Sequence, residues 1–173
     1  MKDRIGFSSS RTLGSWLIRK LTKSSASHTF LIYFDKDFQQ DMVLEATTLW
    51  GVRIIALVEF QRTHNIVETI PLTHSVDLGI RRAGRELGSP YDYTGAIGML
   101  WVLLGRWLGA KWRNPLQSAH ALFCSELMAK ILRWSAYPRF PLQPSNATPQ
   151  KLLAFFHEER DHPGQQTTET TQP

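Results

Sequence analysis

The chain has 173 residues, 42% of them hydrophobic, with nine Phe and six Trp, which suits one domain with a sizeable core and excludes wholesale disorder. Its single cysteine excludes an intramolecular disulfide and any Cys-rich zinc module. The net charge is +5 and unevenly placed: four acids against Arg160 give −3 from Glu158 onward, leaving +8 on the residues before it.

Met1-Lys2-Asp3-Arg4 runs into Ile5-Gly6-Phe7 and then serines, too short and broken for the apolar region of a signal peptide. Ile5–Ser8 reads as a short strand. Thr12–Thr22 reads as a helix with Leu13, Trp16, Leu17, Ile18 and Leu21 on about one face. After a serine-rich loop, His28–Phe34 (HTFLIYF) carries the β-branched and aromatic signature of a strand. Asp35–Gln40 is a polar turn and Asp41–Ala46 a second strand, with two more at Trp50–Leu57 and Asn65–Leu72. Together they predict a mostly antiparallel sheet of four or five strands. Ser75–Leu87 reads as a helix with a serine cap, stopping at Gly88-Ser89-Pro90. Thr94–Ala110 is the most apolar run, interrupted by Arg106; it suits a core helix, a membrane-surface helix or the lining of an acyl pocket. Pro115–Trp134 has a longer helical pattern containing Cys124, and Thr148-Pro149 caps a last helix to about Glu158. Strands followed by helices argue an α+β fold. The domain is expected over residues 1–158, with a disordered polar tail over 159–173.

Cys124 lies in Ala121-Leu122-Phe123-Cys124-Ser125-Glu126-Leu127-Met128, where a lone cysteine reads either as a small buried hydrophobe or as a nucleophile. The second role needs a base, a group orienting that base, and oxyanion donors. His28, opening an apolar strand after a serine-rich loop, is the candidate base; otherwise it is a half-exposed strand histidine. If the turn centres near residues 37 and 38, residue i pairs with about 75 − i, which sets Glu45 opposite Phe30. Glu45 is then a diagonal neighbour of His28 on the same face, in reach to orient the imidazole, whereas a one-residue slip sends it to the other face. His120 and Cys124 have helical spacing for metal ligation, but two ligands do not make a site. Ser8-Ser9-Ser10 lacks a nucleophile-elbow pattern. Glu126 is read as structural, and Tyr91 and Asp92 as shaping a cleft or simply turning beside Pro90.

The order His…Glu…Cys adds a resemblance. Ser27-His28-Thr29-Phe30-Leu31-Ile32-Tyr33, Val43-Leu44-Glu45-Ala46, Gly51-Val52 and Phe123-Cys124-Ser125-Glu126-Leu127 resemble the circularly permuted, papain-like thiol hydrolases of the NlpC type. The YiiX-like amidases are the nearest group and lecithin:retinol acyltransferase a more distant relative. Gly88-Ser89-Pro90-Tyr91-Asp92-Tyr93 resembles the family's "G-x-x-YD" segment and Pro144–Leu153 its closing "TP" helix, so the likeness spans roughly residues 5 to 156. Two departures concern the mouth of the site: the usual "GD" reads Ile5-Gly6-Phe7, and the loop before His28 lacks an aromatic.

The resemblance implies a permuted papain-like α+β domain with Cys124 as nucleophile, His28 as general base and then acid, and Glu45 as the orienter of the imidazole. It implies hydrolysis of an amide or ester through a thioester, without cofactor or metal, on peptide, peptidoglycan-like or lipid amide and ester substrates. The alternatives are a non-catalytic interaction module on the same fold and a thiol acyltransferase. The Thr94–Ala110 run, with Trp101 and Trp107, tilts the expectation towards a lipidic substrate and peripheral membrane contact. The cations are dispersed rather than blocked, so no specific nucleic-acid partner is expected. With no signal peptide and no apolar run of ~18 residues, a cytoplasmic location is expected, action elsewhere being left open.

Overall fold

A computed structural model of the chain describes residues 2–9, 25–47, 50–88 and 124–161. Five strands form one sheet: β1 (Arg4–Ser9), β2 (His28–Asp35), β3 (Gln40–Thr47), β4 (Gly51–Ala56) and β5 (Asn65–Pro71). Their spatial order is β4-β3-β2-β1-β5, with every neighbouring pair antiparallel. Four α-helices complete the described fold: α1 (Leu57–Thr63), α2 (Asp77–Ala83), α3 (Cys124–Trp134) and α4 (Pro149–Asp161). The class is α+β, as expected. No helix among the described residues is long and apolar enough to cross a membrane.

The β2–β3 hairpin sets the register on which the site depends. Asp35 Oδ1 accepts the N–H groups of Asp37 at 2.9 Å and Phe38 at 3.1 Å, an Asx turn that closes the loop locally. Gln39 takes a left-handed φ of 53° to re-enter β3. The ladder then runs Asp35↔Gln40 through Leu31↔Leu44, the expected sum of 75, and Arg4 in β1 pairs with Asp41 in β3 across the intervening strand.

Alternation divides the buried side chains between two faces of unequal size. Ile5, Phe7, Leu31, Leu44, Ala46 and Ile70 point to one face, where α2, α3 and α4 cover them with Leu127, Met128, Ile131, Leu152 and Phe156. Phe30, Ile32 and Val43 point to the other, covered by Phe60 of α1 with Ile55, Leu57 and Ile66 at the margin. Ile66 joins that second cluster through a bulge: Phe7 pairs with Glu68 but Ser8 with Ile66, so one extra β5 residue turns Ile66 over. Gly6 is required here, because a Cβ on it would lie 2.3 Å from the Phe30 ring that crosses β1.

Several boundaries differ from expectation for identifiable reasons. The strand at Trp50–Leu57 ends at Ala56, and α1 follows at once, because Phe60 is taken into the apolar cluster beneath it. The helix expected over Ser75–Leu87 is α over Asp77–Ala83 and a 3₁₀ turn over Gly84–Glu86. Ser75 Oγ accepts the Asp77 N–H at 3.3 Å in a turn before that helix, whose N-cap is Val76. α4 does start at Thr148-Pro149, with the Lys151 N–H donating to Thr148 Oγ1 at 3.2 Å, but it continues to Asp161. Glu159, Arg160 and Asp161 therefore belong to the helix rather than the tail. Tertiary bonds hold that last turn: Glu159 accepts from Thr73 at 2.6 Å and Tyr137 at 3.0 Å, and Arg160 reaches Glu68. The helix expected at Thr12–Thr22, the Thr94–Ala110 run, the segment ahead of Cys124 with Tyr91, Asp92 and His120, and the tail beyond Asp161 lie outside the described residues.

Candidate active site

β2 begins at His28. The Ser27 N–H donates to Ser8 O at 3.0 Å, carrying the β1–β2 pairing one step beyond the strand and fixing where the chain enters it. The imidazole lies on the smaller apolar face, with ring centroids 6.2 Å from Phe30, 6.3 Å from Phe60 and 5.8 Å from His64. Phe60 and His64, one helical turn apart, stack at 4.2 Å, so α1 closes an aromatic wall around His28.

Glu45 lies where the hairpin register, continued one step, places it: opposite Phe30 and diagonal to His28. Its carboxylate is fully buried and Oε2 stands 2.7 Å from His28 Nε2. The other oxygen, Oε1, accepts from Arg53 Nε at 2.8 Å and forms an ion pair with Nη2 at 2.6 Å. Arg53 sits directly opposite Glu45 in the β3–β4 ladder. Burial alone would raise the Glu45 pKa, but its bonds to His28 and Arg53 hold it below the ordinary carboxylate value.

The nucleophile candidate arrives from the other side of the chain. Cys124 is the first described residue of α3, whose apolar residues Leu127, Met128, Ile131 and Leu132 seat it on the larger core. The Ser125 hydroxyl donates to Ala147 O at 2.9 Å and ties this end of the helix to the turn before α4. Gly79 lets α2 approach closely, since a Cβ there would meet Ile131 O at 2.3 Å. The half-buried thiol faces His28, with Thr29 beside it. With Nε2 engaged by Glu45, Nδ1 is the imidazole nitrogen left for sulfur.

The charges reinforce one another. Burial would press the His28 pKa down, but the facing Cys124 sulfur and the Glu45 carboxylate push it up to about 10. Burial would raise the Cys124 pKa, but His28 first and Thr29 after it bring it below the usual thiol value. Both shifts favour a thiolate–imidazolium pair backed by an ionised Glu45. His64 is shifted the other way, lowered by burial and by the neighbouring cations His28 and Arg53 against the pull of Glu45.

The three residues singled out from sequence thus meet in space. Arg53, Thr29, Phe60 and His64 were not singled out as site residues. Arg53 had a readable signal, an opposite charge facing Glu45 across the next hairpin, whereas Phe60 and His64 depend on a helix the pattern did not announce. His74 and His157 serve elsewhere: His74 Nδ1 lies 2.9 Å from Thr73 Oγ1, and His157 bridges α4 to Glu68 of β5 at 2.9 Å. Glu126 forms an ion pair with Lys130 one turn along α3. Among the described residues no group of three or more His, Cys, Asp or Glu side chains is placed to hold a metal ion. No protein-family model matches the chain, and no curated protein matches it.

Proposed function

We propose that the protein is a cysteine hydrolase of the permuted papain-like, NlpC type, cleaving an amide or ester bond through a thioester. The observation that carries this reading is the continuous chain of contacts from the Cys124 sulfur through His28 to the buried Glu45, with Nε2–Oε2 at 2.7 Å. A structural cysteine requires no imidazolium beside it and no buried carboxylate behind that imidazolium. Strand–strand–helix placement of base, acid and thiol also agrees with the family order inferred from sequence.

In this mechanism the thiolate attacks the substrate carbonyl carbon, and the C=O electron pair moves to oxygen to give a tetrahedral oxyanion. The Cys124 N–H is one donor to that oxyanion. Collapse breaks the bond to the leaving amine or alkoxide, which takes the proton from His28 Nδ1. Neutral His28 then removes a proton from water as the water oxygen attacks the thioester carbon. Expulsion of the Cys124 thiolate releases the acid and restores the ion pair. Glu45 holds the Nε2–H throughout and stays ionised. An alcohol or amine in place of water converts the same steps to acyl transfer. The substrate classes are peptide, peptidoglycan-like, lipid-amide and acyl-ester carbonyls.

Because the chain has one cysteine, its alkylation reports on this site alone. The rate should follow a thiol pKa well below the reference of ~8.5, and His28→Ala should return it towards that reference. Slow labelling that rises only near the reference value, unchanged by the substitution, rejects the hydrolase reading.

A further inference from the structure

We propose that Arg53 is a fourth, positioning member of the constellation, acting on the Cys124–His28 pair by holding Glu45 ionised and in the one rotamer that presents Oε2 to His28. The inference rests on the hydrolase reading above and deepens it.

The geometry assigns the two oxygens of Glu45 to different partners. Oε1 faces the guanidinium, accepting from Nε at 2.8 Å with Nη2 at 2.6 Å, while Oε2 takes His28 among the described residues. A fully buried carboxylate with a single donor would be free to rotate and costly to ionise. The arginine removes both freedoms. Its hold on Oε1 leaves Oε2 turned towards His28, and its permanent charge offsets the burial of the anion. The placement comes from the sheet itself: Arg53 is the residue paired with Glu45 in the β3–β4 ladder, and backbone pairing sets both side chains on the His28 face.

The charge count gives the arrangement a further property. Thiolate, imidazolium, carboxylate and guanidinium sum to zero, so the ion pair can form without leaving net charge in a poorly solvated place. Without Arg53, Glu45 is more easily protonated. Its hold on the imidazolium then weakens and the thiolate loses the cation that stabilises it. Arginine therefore favours the reactive thiolate from a distance, without touching the substrate.

The test is the pH dependence of Cys124 alkylation by iodoacetamide in the full chain, for wild type, Arg53→Gln, Arg53→Lys, Glu45→Gln and the double variant Arg53→Gln/Glu45→Gln. The expected result is an upward move of the thiol pKa by about one unit in Arg53→Gln, roughly tenfold in thiolate population at a pH between the two values. Arg53→Lys should recover part of that shift, since it keeps the charge but not the fork. In the Glu45→Gln background, removing Arg53 should add little, because its route to the thiol is already cut. The double variant buries a neutral pair and so serves as the folded control should Arg53→Gln alone unfold. A depressed wild-type thiol pKa that depends on His28 but is unmoved in Arg53→Gln overturns this inference and leaves the hydrolase reading standing. A full additional shift from Arg53→Gln on top of Glu45→Gln also overturns it, since the arginine would then act directly. An ordinary wild-type thiol pKa rejects both.

Discussion

The two faces of the sheet are built to different specifications. One carries a broad apolar core under α2, α3 and α4, with Phe7, Leu31, Leu44, Leu127, Ile131, Leu152 and Phe156 nearly or wholly buried. The other has, among the described residues, four fully buried apolar side chains, Phe30, Ile32, Val43 and Phe60, around a row of ionisable groups, His28, Glu45 and Arg53. The first face supplies most of the hydrophobic stabilisation, at about 1.5–3 kcal/mol per large side chain. The second devotes its apolar groups to orienting an imidazole and excluding water from a carboxylate. Ions survive burial there because each has a partner within 2.6–2.8 Å. The site thus depends on the larger core for stability and on the smaller one for geometry.

That division is open to direct attack. The largest effect is expected on the larger face, where Phe156→Ala should cost about 3–5 kcal/mol in urea unfolding yet leave the thiol pKa of the folded protein unchanged. A shifted thiol pKa would mean that the two faces are not energetically separate. A smaller effect on stability, with a larger one on chemistry, should follow from Gly6→Ala. The new methyl must displace the Phe30 ring, at about 1–3 kcal/mol for overpacking, and that ring stands 6.2 Å from His28. Its alkylation profile should therefore move to higher pH, and an unchanged profile would show that Phe30 does not hold the imidazole.

The smallest effect is expected from pH near neutrality. In the unfolded chain His28 loses its proton near 6.5 and Cys124 near 9.0; in the folded chain His28 is raised to about 10 and Cys124 lowered, and on the proposed reading imidazolium and thiolate persist together. Between those unfolded values both states hold one proton on the pair, so its contribution to stability is flat from about pH 6.5 to 9.0. Above 9.0 the unfolded state holds fewer protons than the folded one, and stability falls until His28 deprotonates. Below 6.5 the unfolded state holds more, and stability falls as the folded thiolate takes up a proton. Glu45, lowered from 4.5, adds to the acid-side loss below that value. Unfolding free energies measured across this range should show the plateau in wild type, and the double variant His28→Ala/Cys124→Ala should lack the fall between about pH 9 and 10, below the range where the raised Tyr33 and Tyr137 contribute. A monotonic wild-type profile through pH 6.5–9.0 would contradict the ion pair.

Much of the sheet was legible beforehand because strand signals and turn chemistry are local. The Asp35 turn and period-2 alternation were enough to place Glu45 diagonal to His28, and Thr148-Pro149 marked the start of α4 through its own cap. The helix at Leu57–Thr63 was not legible, since Leu57-Val58-Glu59-Phe60 continues an apolar strand pattern and only the pocket beneath Phe60 favours a helix. The last turn of α4 was hidden for a similar reason: Glu159 and Arg160 look like solvated tail until Tyr137 and Glu68 face them.

By itself, then, the sequence determined the α+β class, the hairpin register and the shared face of His28 and Glu45, all consequences of short-range backbone sterics and alternation. Only the tertiary structure decided that Cys124 meets His28, that Arg53 closes on the far oxygen of Glu45, and that Phe60 and His64 wall the imidazole. Those contacts join segments whose local preferences are silent about one another. They form because burying α1 and α3 on opposite faces of one sheet brings their ends together at the start of β2.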